Sequence, residues 1–316
     1  MSIFSSINQD EVILESIFQE ISDLMESGMN TDSIINSYML ESNTVVLESS
    51  IVDSVKTVIA KLVQFIVNLY EKFISLFMTQ TDYIKYILDK HKDRINNLTD
   101  EDLKTIAYEY RQFNIPKNIP VFGYFGNVQK YIDKLSSFVI SFQDIEDFKY
   151  MFSEELALIR GKIIGKNEKI TDYNFIGQVR GIFRGSNEVY IKHMTKSDLD
   201  KIVDGIWSYK DAKTMVETSK ESLVKEYSNY AKVINNLMQV KYNDDALSGV
   251  ITNKDGEKKS VDIVTVNKHK TYQSLVVSFI SHIAESYSIV FKEKLQAVKD
   301  KYDMEMSILS QVLHLV

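Results

Sequence analysis

The chain reads as mainly α: an elongated helical bundle with a long antiparallel helix pair at its C-terminal end and a small β-hairpin or short strands. Three observations predict this. Only 2 prolines and 11 glycines occur in 316 residues, and these two residue types are the strongest helix breakers. Apolar residues recur at three- and four-residue steps along most of the length, which is the signature of amphipathic helices. The two longest such stretches, 208–242 and 272–316, flank a polar segment that holds a turn signal. A hydrophobic content of 44% and a charged content of 26% suit a globular protein with a substantial core.

Residues 10–27 carry Val12, Ile13, Ile17, Ile21, Leu24 and Met25 on one helical stripe, closed by Ser27-Gly28 and Asn30. A short helix over 31–41 follows, with Thr31 or Asp32 as its cap. Residues 51–78 are the most apolar element, with polar residues confined to a narrow stripe. Most of that helix therefore asks for burial, as a central core helix. The alternative is a membrane-active or ejected protein that uses the 51–78 helix on or in a lipid bilayer. Lys61, Gln64, Asn68, Glu71 and Lys72 interrupt 58–78, so it falls short of the ~18 uninterrupted apolar residues of a membrane span. The N-terminus lacks the basic and apolar regions of a secretory signal.

A helix is expected over 79–97. Thr99-Asp100-Glu101-Asp102 starts another, expected to reach about Phe113, because the hydroxyl can cap while the acids meet the positive dipole end. Pro116 and Pro120 make the following segment extended. Helices are expected from Asn127 to about Phe142 and from Asp144 to about Leu158. Glu188 to Lys192 alternates like a short strand. Thr195 or Ser197 caps a helix through Trp207. Ser208 to Tyr242 reads as one helix. Asn253-Lys254-Asp255-Gly256 is a turn signal between Gly249–Thr252 and Val261–Val264, which read as the strands of a small hairpin or as a mobile loop joining the two long helices. The last helix, from about Tyr272, shows a stripe of Val276, Ile280, Ile283, Tyr287, Val290, Leu295, Val298, Tyr302, Met306, Leu309 and Leu313. A helix this long needs a partner along it, and 208–242 returning antiparallel is the nearest. The expected organisation is a leader over 1–50, an apolar helical domain over 51–160, a Gly/Arg-rich connection over 161–195, and the helix pair over 196–316 with its hairpin insertion at 243–270.

Little in the sequence points to catalysis. Cysteine is absent, which removes disulfides, thiolate metal sites and thiol nucleophiles. His91, His193, His269, His282 and His314 show no metal-ligand spacing. No nucleophile elbow, Walker A loop or kinase-type glycine loop is present. The expectation is a non-enzymatic protein without a cofactor. The one candidate binding region places Arg160, Lys162, Arg180 and Arg184 among glycines at 161, 165, 177, 181 and 185. Backbone amides and arginines in such a setting can hold an anion. The same glycines, four residues apart, equally permit close helix packing and turns.

Charge is distributed unevenly. Residues 1–55 contain ten acids and no Lys or Arg, against a formal net charge of -7 for the whole chain. Within this stretch a hydrophobic-x-Glu-Ser pattern occurs four times, at Ile13–Ser16, Leu24–Ser27, Met39–Ser42 and Val46–Ser49. A protease that reads an apolar pocket residue and a carboxylate at the cut needs such a tripeptide in an accessible segment. Glu15, Glu26, Glu41 and Glu48 are the candidate cleavage residues.

The leader resembles that of internal head (capsid core) proteins of large tailed bacteriophages. In that family a prohead protease cuts after hydrophobic-x-Glu and removes an acidic propeptide as the head matures. Ile13-x-Glu15 and Leu24-x-Glu26 follow the Leu/Ile form, whereas Met39-x-Glu41 and Val46-x-Glu48 depart from it at the first position. The likeness extends loosely to Ile182-Phe183-Arg184-Gly185 and the helical C-terminal half. It implies a virion structural protein made in the host cytoplasm and located in the head interior, processed by a prohead protease and in contact with capsid or scaffold proteins. Removing residues 1–48 takes nine acids and no base, so the formal charge moves from -7 to about +2. Contact with packaged DNA would then be non-specific and salt-sensitive.

Overall fold

A computed structural model describes residues 82–116, 125–185, 190–207, 209–237, 240–244, 248–253 and 255–315, with Ile119 and isolated positions between 63 and 74. The leader, with Glu15, Glu26, Glu41 and Glu48, lies outside the described residues, as do most of 51–78. The fold is mainly α with small antiparallel sheets, as the sequence predicts. Residues 82–90 are helical. Then follow α1 (Lys92–Asn96), α2 (Asp100–Leu103), β1 (Ala107–Tyr110), α3 (Phe125–Lys134), α4 (Phe142–Ile163), α5 (Asp172–Arg184), β2 (Tyr190–His193), α6 (Lys196–Trp207), α7 (Tyr209–Leu237), β3 (Lys241–Asp244), β4 (Ser248–Thr252), β5 (Lys258–Asp262) and α8 (Ile263–Leu313).

Two compact units emerge, and they interleave along the sequence. One takes 122–156 and 224–285, and the other takes 66–121, 157–223 and 286–316. These limits cut across the expected boundaries at 160 and 195. The reason is that α4, α7 and α8 each contribute one part to each unit, so no contiguous segment closes its own core.

The first unit is built around Phe148, which is fully buried. Tyr131 and Phe279 meet it edge-on at 5.1 and 6.2 Å, and Tyr272 is tilted against it at 5.3 Å. Burying a Phe side chain contributes roughly 1.5–3 kcal/mol, and ring pairs of this geometry add to it. Within this unit the expected antiparallel pairing of α7 with α8 is present. The Gln273 amide donates to the Leu237 carbonyl at 2.7 Å, and the Tyr227 hydroxyl donates to the Ala284 carbonyl at 2.6 Å. The partner number rises as the other falls, which fixes the opposed directions. Gln273 also satisfies a carbonyl at the end of α7, where no intrahelical donor remains. At the start of α4, Ser141 and Asp144 form a reciprocal cap, with Ser141 N donating to Asp144 Oδ2 at 2.8 Å and Asp144 N to Ser141 Oγ at 3.1 Å.

The hairpin is a three-stranded sheet in the order β3-β4-β5. The expected turn is formed by Asn253, whose Oδ1 accepts from Asp255 N and Glu257 N at 3.0 and 2.9 Å, with Gly256 at φ +82°. The expected strand over 261–264 needs correction. Asp262 Oδ1 accepts from Thr265 N at 2.7 Å, so Asp262 caps α8 and Ile263 and Val264 are already helical. The last helix therefore begins nine residues before Tyr272 and has 51 residues. By length and composition α8 is apolar enough to cross a membrane, but 65% of its most apolar window is buried inside the protein. A core helix meets the same test.

In the second unit, Thr99 is the expected cap, and Asp102 completes a capping box with it. The helix it starts ends at Leu103, however, instead of reaching Phe113. Ala107 to Tyr110 turns to strand and pairs antiparallel with β2, Tyr108 opposite Lys192 and Tyr110 opposite Tyr190. Tyr108 is the buried member of β1, between exposed Ala107 and Glu109, and its burial prevails over helix propensity. Thr195 is the cap of α6, since Asp198 N donates to its hydroxyl at 3.2 Å. Along the apolar helix expected over 51–78, Ile66 and Tyr70 are buried while Asn68 and Glu71 are exposed. At those positions the core reading fits.

Candidate functional site

The Gly/Arg-rich region lies in the second unit, and its cations face protein groups. Arg160, on the last turns of α4, is buried. Its Nε donates to Ser286 Oγ at 3.0 Å, and its guanidinium stands 5.4 Å from the Phe175 ring centre. Arg180 and Arg184 are one helical turn apart on α5. Arg180 Nε pairs with Glu293 Oε1 at 3.0 Å, and Arg184 Nε pairs with Asp300 Oδ2 at 3.0 Å. Glu293 and Asp300 are seven residues apart, so they share one face of α8. Two arginines thus bolt α5 to α8 through two carboxylates. Lys162 is exposed.

The structure therefore does not gather Arg160, Lys162, Arg180 and Arg184 around a common point. The positive charge of both α5 arginines meets buried or half-buried carboxylates. The glycines divide in the same way. Gly161 gives room for the chain to fold back after α4, with Lys166 N donating to the Gly161 carbonyl at 2.8 Å. A Cβ there would collide with the Glu168 carbonyl. Gly185, at φ +65°, faces the Gln112 carbonyl just as closely. Gly177 and Gly181 have open space around them. Turn and close-approach geometry accounts for Gly161 and Gly185 without a ligand.

A groove of about 430 Å³ lies beside β1 in the same unit, lined by Tyr108, Glu109, Arg111, Asp300, Asp303 and Gln311 among others. Its volume suits a small ligand. Its acids, however, are matched to bases: Glu109 to Arg111 at 3.9 Å, Asp300 to Arg184 at 3.0 Å, and Asp303 to Lys299 at 2.8 Å. No converging set of one charge sign forms there.

The sharpest-looking chemical pair is one the sequence reading missed. Lys294 is fully buried, its Nζ donates to Ser219 Oγ at 2.8 Å, and burial pushes its ammonium down to about 8. A lysine of that kind can serve as a general base toward a serine. Ser219 Oγ also donates to the Met215 carbonyl at 3.0 Å, and the pair is enclosed between α7 and α8 rather than lining the groove. The geometry is that of a helix-packing bridge. Elsewhere, Glu226 is buried and its carboxyl is raised by that burial, against hydrogen bonds from Tyr230 and Asn229. Among the described residues, no group of three His, Asp or Glu is placed to hold a metal ion. Comparison with protein-family models, curated proteins and solved structures finds no match to this chain.

Proposed function

We propose that this protein is a non-enzymatic structural component of a phage virion, housed inside the head, whose N-terminal leader is removed as the head matures. One observation carries the proposal: four hydrophobic-x-Glu-Ser copies lie within the one long stretch that has no Lys or Arg. One feature of the body supports it. Arg160, Arg180 and Arg184 are spent on pairs with Ser286, Glu293 and Asp300, which suits a filler that must not clamp packaged DNA. The partners are then capsid or scaffold proteins and, before maturation, a prohead protease.

The location is tested on purified particles. The protein should resist added protease in intact heads and become digestible once the heads are opened. Digestion at the same rate in both states would place it outside the head and defeat the reading.

A further inference from the structure

His269 has no exposed surface. It lies on the first turns of α8, three residues beyond Val266. Val266 joins Val240 and Ile251 in the apolar cluster that seats the three-stranded sheet on α8, with Phe138, Val261 and Ile263 packed at its margin. The imidazole meets the Tyr242 ring of β3 edge-on at 6.2 Å. Neither ring nitrogen makes a well-formed hydrogen bond within the protein.

The charged and titratable groups around this joint are mostly cationic. From α3 comes Lys134, paired with Asp144 of α4 at 3.1 Å. On β5, Lys259 stands 5.7 Å from the Phe138 ring. On α8 itself, Lys268 stands 4.3 Å from the Phe142 ring and Lys270 5.9 Å from the Tyr242 ring. The acids are committed: Asp144 to Lys134 and Ser141, and Asp262 to the first turn of α8. Burial holds the Tyr272 phenol on α8 above its ordinary value, so it stays neutral.

From this geometry we infer that His269 is an acid-sensitive latch: taking up a proton expels its ring from the apolar cluster and frees the β3–β5 sheet from the start of α8. A cation at this position would be desolvated and repelled by Lys134, with the Phe138 backbone to favour it. Burial accordingly holds the imidazole down to about 4, with Lys134 acting in the same direction. The opened state regains an ordinary histidine and takes the proton first. Latching is therefore complete above about pH 6.5, the unperturbed value, and weakens as the pH falls from there toward 4. Such a device would let an acidic setting expose Val240, Ile251 and Val266 as a new apolar surface.

The test uses the full chain and hydrogen exchange followed by NMR, corrected for the intrinsic pH dependence of exchange. Protection of the β4 amides should fall by about 30-fold between pH 8 and pH 5, as linkage to a shift of this size requires. Protection at Val216 and Leu223 should stay level. His269→Phe, which keeps a ring but takes no proton, should abolish the fall at β4. A β4 protection that is flat with pH, or that falls equally in the variant, would overturn the latch. Should the variant fail to fold, the His269 imidazole shift in the unmodified chain decides. Titration only below about pH 5 upholds the inference, and titration near 6.5 overturns it.

Discussion

Lys294 occupies a position that its residue type disguised and its spacing revealed. The stripe Val276, Ile280, Ile283, Tyr287, Val290 continues by four to Lys294 and by four again to Val298, and Lys294 is fully buried. A reading by residue type steps over it to Leu295. Extended backward from Val276 by seven, the same stripe reaches His269. The periodicity thus marks both positions as inward, but side-chain chemistry hides them. Since burial lowers the Lys294 ammonium, replacing the group with an apolar chain of similar length should remove a cost. Lys294→Met is expected to stabilise the protein at pH 7 by about 1–3 kcal/mol, read from urea unfolding, because Ser219 keeps its bond to Met215. The folded state sheds this proton before the unfolded one does. Stability of the unmodified chain should therefore rise from about pH 8 toward 10.5, narrowing the gap to the variant, and a gap constant with pH would refute the assignment. Arg180→Gln acts in the opposite direction. It leaves the Glu293 carboxylate, only 4% exposed, without this cation. Because Arg180 itself is half exposed, the loss is discounted to about 1–2 kcal/mol. An unchanged unfolding midpoint would show that the pair does not tie α5 to α8.

Between residues 160 and 185 the sequence presents five glycines as if they were one feature, and the structure separates them by role. Gly161 and Gly185 each sit against a backbone carbonyl that a side chain would strike, whereas Gly177 and Gly181 have open surroundings on α5. Gly161→Ala should therefore cost about 1–3 kcal/mol through overpacking. Gly177→Ala should gain about 0.5–1 kcal/mol by lowering the entropy lost on forming the helix. Equal shifts in thermal midpoint for the two variants would contradict this division. Element boundaries failed in the sequence where a local signal competed with a distant one. The Thr99 cap was legible, but the partner that draws Ala107–Tyr110 into a strand lies more than eighty residues away at Tyr190–His193. Asp262 was legible as a polar residue within an alternating run, but not as the cap that begins α8. Signals contained within four residues were legible: Thr195 is one of the two caps the sequence offers for α6, and the Asn253 turn forms where the sequence signals one.

At the scale of the molecule, the helical class followed from scarce breakers and long apolar periodicity, and it is the architecture observed. The division into sequential segments was not legible, because a helix that contributes to two cores shows no break in its pattern where one core ends. The candidate anion site dissolved for a related reason. The sequence displays Arg180 and Arg184 as clustered charge, while their partners Glu293 and Asp300 are over a hundred residues downstream. What remains of function rests on an asymmetry that needs no folding to be seen: an acidic, repeat-bearing front and a body near neutrality. The most direct test is the N-terminus of the protein in mature particles, read by mass spectrometry. It should begin after one of the four glutamates, at Ser16, Ser27, Ser42 or Ser49, with the preceding residues missing. Abundant peptides running unbroken from Ile13 to Ser49 in those particles would contradict it.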